Sequence, residues 1–499
     1  MAQIKIGAIL SYISIGINIL AGLVITPWII AAIGRSDFGL YTLAMSIISL
    51  FVFDFGLSSA VTRFISKYLA ERNQDKANVF LALTFKIYVI LDIVLIFVLT
   101  IVFFLIPQIY KELSPAEIVK FEIIYILAAL FSVLSFPFIP ANGVLSAHEK
   151  FIQIKLCDIA QKIIMVSSMG ICLWLGYGLY ALVLVNIISG LCAIVLKVFC
   201  INRFTPQRMT KTAFDRNEFK NIVSFSSWVT VIALAQRCIF NLAPSVLGVL
   251  SGSDSIAILG IALTIEGYTF TFANALNGMF LPRVTKIISE NNGNILPFMI
   301  KIGRIQLYII ALIVFGVLCF GKQFIQLWVG NAFSESYLCA ILIIFPALLH
   351  LPQDIGLQAL YAKNEVKRLS YIYVVMAALN ILLAVILTPK LEALGICLSI
   401  CIAYIIRTIG MDILFKRQIN IDVISFFRGS YVKILPWVFL VVLIGFGLNQ
   451  ISLFEGPLGL AFKVSTFIAI YFSIMYLFSM TKEEKHLFLS PISKLLHRK

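Results

Sequence analysis

Charge is scarce in this sequence. Asp, Glu, Lys and Arg make up 13% of its 499 residues, against about 25% in an ordinary soluble domain. The charges that exist sit in short stretches between long apolar runs, so no region has the composition of a soluble domain. Acidic residues are the scarcer sign: 24 Asp and Glu stand against 39 Lys and Arg, a net charge of +15. A basic excess raises the question of nucleic acid. Such an interface needs a basic face on a folded soluble domain, so no nucleic-acid partner is expected. Signatures of catalysis are missing as well. There is no P-loop, GxSxG, HExxH or DxD repeat, the motifs that hold phosphates, nucleophiles and catalytic metals. No ATP hydrolysis, metal or cofactor is expected, and the chain reads as no enzyme. The nine cysteines form no CxxC and no Cys/His ligand set; they read as small apolar packing residues.

What is present is apolar length. The chain is 61% hydrophobic, with a mean hydropathy of +1.01. A membrane-crossing helix needs about 20 apolar residues. Fourteen segments qualify: 6–33, 38–65, 78–106, 121–146, 154–176, 178–202, 222–250, 254–281, 298–320, 336–360, 369–388, 394–415, 433–450 and 458–479. The first is longer than the core of a signal peptide and reads as an uncleaved transmembrane helix. Cytoplasmic loops of membrane proteins are enriched in Lys and Arg. With the N-terminus inside, only Arg35, Lys111, Lys120, Lys322, Lys390 and Lys463 fall outside, and Arg237 falls within a span. The other 32 of the 39 fall at inner loops, Arg407 being a borderline assignment well inside its segment. Both termini are therefore expected in the cytoplasm.

The two halves repeat at a spacing near 217 residues. GRSDFGLYTLAM from Gly34 matches SGSDSIAILGIAL from Ser251, which sets Asp37 against Asp254. GLYALVLVNII from Gly178 matches GICLSICIAYII from Gly395. IPANGVLSAHEKF at 139 resembles LPQDIGLQALYAKNEV at 351, and TRFISKYLAERN at 62 resembles PRVTKIISENN at 282. Six helices per repeat is an even number, so both repeats enter the membrane from one side, as in parallel-repeat transporters. The expected fold is an all-α polytopic membrane protein of about 14 transmembrane helices. It would comprise two pseudo-symmetric six-helix lobes, 1–203 and 222–417, a cytoplasmic linker at 204–221, and two C-terminal helices with a cytoplasmic tail at 418–499.

GRSDFGLYTLAMSIISLFVFDFGLSSAVTRFISKY (34–68) resembles the first helical hairpin of the polysaccharide exporters, and PANGVLSAHEKF (140–151) their fourth-helix end. Those exporters belong to the multidrug/oligosaccharidyl-lipid/polysaccharide (MOP) superfamily, and fourteen spans as twelve plus two fit it. The resemblance implies a Wzx-like O-antigen or polysaccharide flippase with a MATE-like fold. Such a protein moves an undecaprenyl-pyrophosphate-linked glycan from the inner to the outer leaflet of the bacterial cytoplasmic membrane, among membrane lipids and beside a polysaccharide polymerase. A multidrug antiporter is the alternative. The peptidoglycan-precursor branch fits less well, since helix one carries no cation between Lys5 and Arg35. A membrane polymerase or ligase would want a larger outer loop.

Within WVTVIALAQRCIF (228–240) stands Arg237. A guanidinium in mid-membrane costs about 3 kcal/mol, so it needs an anionic partner. Arg237 lies 15 residues before the turn at Gly252 and Glu266 lies 14 after it, which puts both at nearly one depth. Either the two neutralise each other or Arg237 meets a pyrophosphate or acidic sugar; both hold if Glu266 keeps Arg237 until substrate arrives. Asn18 and Asp54 sit at similar depths in helices one and two and join the candidate cavity residues. Asp92, central in helix three, is the candidate ion-coupling carboxylate, or a hydrogen-bond partner of a neighbour. Pro140 and Pro352 occupy near-equivalent repeat positions and are the candidate hinges, since proline removes a helix hydrogen bond. The linker RFTPQRMTKTAFDRNEFK (203–220) carries five cations suited to anionic headgroups.

Overall fold

The computed structural model describes residues 2–51, 57–208, 216–274, 284, 287–288, 294–363, 365–450 and 456–485. Among them every regular element is helical. Contacts divide the chain into two units, Met1–Gly260 with Tyr373–Ser399, and Ile261–Ile372 with Ile400–Lys499.

The first unit contains α1 (Ala2–Phe51), α2 (Leu57–Ala70), α3 (Gln74–Ile109), α4 (Pro115–Ser135), α5 (Ala141–Ala147), α6 (Phe151–Trp174) and α7 (Leu179–Phe204). It continues through α8 (Arg216–Phe240), α9 (Ala243–Leu250) and the start of α10 (Ser253–Asn274). The second unit takes the rest of α10, then α11 (Leu296–Val329), α12 (Ser336–Ile344), α13 (Ala347–His350) and α14 (Asp354–Ala362). The ends of α15 (Val366–Ile419), with α16 (Val423–Ser430), α17 (Leu435–Gln450) and α18 (Pro457–Ile474), complete it.

Among the described residues eleven helices are long and apolar enough to cross a membrane, or twelve if α16 and α17, bent by 45°, form one span. Fourteen segments fit this count because two helices are double. α1 is kinked at Gly34 (φ 81°, ψ 173°), a conformation open to glycine. α15 is kinked at Glu392 (φ 48°, ψ −127°), where a side chain costs about 1–3 kcal/mol. Each kink falls between two of the apolar segments. The first repeat makes the turn matching Glu392 with Gly176 (φ 75°), one residue from the 217 spacing.

Pro140 and Pro352 both sit at interruptions of the helices. α4 ends in a 3-10 turn, Phe136–Phe138, and α5 restarts with Pro140 at its N-cap. α13 likewise gives way to the 3-10 turn Leu351–Gln353, which holds Pro352, before α14. That second turn presses on α11 at Gly303, where an added Cβ would stand 2.7 Å from the Pro352 carbonyl oxygen. Small residues at contacts let membrane helices approach backbone to backbone. Outward faces are apolar instead: α3 exposes Ile93, Phe97 and Phe104, the last at 71%. Water penalises such a continuous apolar surface and lipid does not.

Candidate functional site

Arg237 is not in the middle of a continuous helix. It occupies the last turn of α8, and the chain restarts as α9 with Pro244 in its first turn. The C-terminal end of a helix carries partial negative charge and favours a cation. The Arg237 side chain is half-buried, and its Nη1 donates to the Ser49 carbonyl on α1. Asn18 lies exposed on α1. Asp92 is buried on α3, and its Oδ1 has no hydrogen-bond partner among the described residues. Glu266 is half-buried on the part of α10 that belongs to the second unit. Asp54 lies outside the described residues.

The first unit also assembles a polar knot from residues far apart in the chain. Ser114 and Glu117 form a capping box at the start of α4, satisfying two helix-end donors reciprocally. The Glu117 Oε1 then accepts from both Ser36 Oγ and Ser253 Oγ, each at 2.5 Å. Ser36 and Ser253 are 217 residues apart and lie 3.1 Å from one another. Their separation equals the spacing at which the two halves of the sequence match. The repeat-related aspartates flank the knot: Asp37 takes Lys120 at 2.7 Å, and Asp254 lies 3.7 Å from Arg35 Nε. Close to it, Ser255 donates to Glu392 at 2.8 Å, which holds the strained turn of α15. Three of the six cations that broke the inner-loop pattern are thereby accounted for, since Lys463 too is buried, donating to the Asn449 carbonyl at 3.2 Å.

In the second unit, Arg304 of α11 is 4% exposed. Its Nε donates to Glu484 at 2.6 Å, and its Nη2 to Tyr308 and to the Ser479 carbonyl, each at 2.8 Å. Glu484 also accepts the Thr481 backbone N–H at 2.8 Å. Burial pushes the Glu484 carboxyl up, but the Arg304 and Thr481 bonds outweigh it and hold the group below the usual carboxylate range. A second buried cation, Arg407 of α15, lies among His350, Asp354 and Tyr404. Gln358 donates to Asp354 at 3.3 Å. The sequence contained these residues in order, but nothing local signalled that they meet.

The profile of the polysaccharide biosynthesis protein family matches residues 4–288. The chain belongs to that family. No curated protein sequence matches it. Among solved structures, this polysaccharide biosynthesis family member is similar to a lipid II flippase, MurJ, in an inward closed conformation. The identity is 12%, with a TM-score of 0.70, over 98% of this chain and 100% of that one. A multidrug resistance MATE family transporter of the MOP superfamily, inward-facing, is 15% identical with a TM-score of 0.65, over 83% of this chain and 98% of that one. A MOP superfamily transporter from Pyrococcus furiosus Vc1 is 14% identical with a TM-score of 0.61, over 84% and 95%. The fold is that of the MOP transporters, as the motifs at 34–68 and 140–151 led one to expect.

Proposed function

We propose that this protein is a flippase moving an undecaprenyl-pyrophosphate-linked oligosaccharide from the inner to the outer leaflet of a bacterial cytoplasmic membrane by alternating access. The observation that carries the reading is the family match over residues 4–288. The likeness in fold to a lipid II flippase agrees with it. The six-plus-six-plus-two division, with lobes at 1–203 and 222–417 and cytoplasmic termini, is part of the same proposal.

In this reading Arg237 receives the pyrophosphate or an acidic sugar. A guanidinium presents a planar fork of donors that matches phosphate oxygens, and a half-buried position leaves it reachable. Glu266, Asn18 and Asp54 are the further substrate-facing residues, Asp92 is the coupling carboxylate, and Pro140 and Pro352 are the hinges. A membrane polysaccharide polymerase would consume the product on the far side.

Deletion of the gene in an otherwise intact pathway tests this. A short lipid-pyrophosphate-linked glycan should accumulate in the inner leaflet, protected from a glycosidase added outside. Accumulation in the outer leaflet would instead assign a polymerase or ligase role. No accumulation would favour a multidrug antiporter.

A further inference from the structure

The paired breaks at Pro137 and Pro140 open a cavity of about 310 Å³ in the first unit. Its volume is at the small end of the about 300–1,000 Å³ of ligand sites. Its walls are apolar: Phe85 from α3, Phe138 from the 3-10 turn, Val144 from α5, Val198 and Ile201 from α7. One end is polar, where Asn202, Gln207 and Arg208 close it as α7 runs out.

Gln207 is the telling residue. It is 1% exposed. Its Oε1 is engaged by Gln74 Nε2 at 3.3 Å and lies 3.4 Å from His148 Nε2. Its Nε2 is buried and has no hydrogen-bond partner among the described residues. A buried donor left without an acceptor is unfavourable, so this one wants an acceptor in the cavity. Arg208 beside it is exposed and spends three of its N–H groups on the carbonyls of Asn202, Thr205 and Gln207. A guanidinium has five. Its backbone N–H is fixed by Asn78 Oδ1 at 2.9 Å, so the head of the cavity is held in place from α3.

We propose that this cavity binds one chain of an anionic phospholipid, with a head-group oxygen accepting from Gln207 Nε2 beside the positive charge of Arg208. An apolar slot ending in one unpaired donor and one cation fits an amphiphile whose tail is hydrocarbon and whose head is an anionic acceptor. Lys150 caps the start of α6, Arg203 sits in the last turn of α7 and Arg208 follows that helix, and basic clusters at helix ends draw anionic head groups. A slot of this size takes a segment of one acyl chain rather than a long polyprenyl chain. The site does not depend on which substrate the protein flips.

Native mass spectrometry of the delipidated full-length protein, titrated with dioleoyl phosphatidylglycerol, tests the site. Wild type should retain phosphatidylglycerol over phosphatidylethanolamine. Gln207→Leu, which keeps the volume and deletes the donor, should weaken that retention about tenfold. Val144→Phe, which fills the slot, should abolish it, while Val89→Phe on the lipid-facing side of α3 should leave it unchanged. If thermal melting shows that Val144→Phe is misfolded, Gln207→Leu decides alone. Equal retention by wild type and Gln207→Leu overturns the proposal. Stoichiometric displacement of phosphatidylglycerol by undecaprenyl phosphate also overturns it, in favour of the carrier lipid.

Discussion

Two arginines in apolar helices have opposite surroundings. Arg304 of α11 is enclosed, with a carboxylate, a phenol and backbone carbonyls around it. Arg237 stands in the last turn of α8, half-buried, against the end of its own helix and the Ser49 carbonyl. A charge sealed inside protein can only stabilise that protein, because a ligand cannot reach it. A charge that keeps part of its surface open can trade partners. Burial and wrapping, rather than the presence of arginine in an apolar run, separate an enclosed cation from one that a ligand can reach.

Arg237→Ala breaks the comparison with the largest effect. Export of glycan by a deletion strain carrying this variant should be abolished while the protein still reaches the membrane, and Arg237→Lys should keep part of it. Normal export by the alanine variant would remove Arg237 as a substrate contact. Arg304→Met should do the reverse, destabilising the second unit by about 3–5 kcal/mol, since it leaves Glu484 buried without its partner. Transport per folded molecule should hold. Thermal melting of the purified variant checks this, and adding Glu484→Leu should recover much of the loss. A full loss of transport in well-folded Arg304→Met would collapse the distinction.

Acid sharpens the contrast. The native Glu484 carboxyl lies below its ordinary value, so its stabilising contribution is complete above the usual carboxylate range. It is lost as pH falls from that range through the native value. Glu484→Gln should flatten that part of the melting-versus-pH curve; an unaltered curve would mean that other carboxyls set it. Asp92→Asn should blunt the pH dependence of transport itself with little effect on melting, and an unchanged transport profile would exclude Asp92 from coupling. The smallest effect is expected in the knot: Ser253→Ala should cost about 1 kcal/mol, because Glu117 keeps Ser36 and Ser114. A loss several times larger, by chemical denaturation, would mean that the knot gates a wider rearrangement.

Much of the fold was legible. Apolar length marked the spans, and glycine and proline marked the breaks at Gly34, Pro140 and Pro352. Glu392 was hidden, since no local rule places glutamate at a positive φ; Ser255 and the tight turn around it impose that conformation. Of the candidate site, Arg237 and Asp92 were visible as charges in apolar runs. Arg304 is one of the cations assigned to inner loops, and its partner Glu484 lies 180 residues further along the chain. The Ser36–Ser253 contact had a signal that was present but unread: the alignment of Asp37 with Asp254 set the two serines one repeat apart.

By itself the sequence determined the solvent, the helices and their interruptions. These follow from composition and from backbone rules that act over a few residues. The tertiary structure alone decided which charge meets which, and whether an arginine is wrapped or open. The knot joins residues 81, 136 and 217 positions apart, and only packing brings groups so distant in the chain within hydrogen-bond reach.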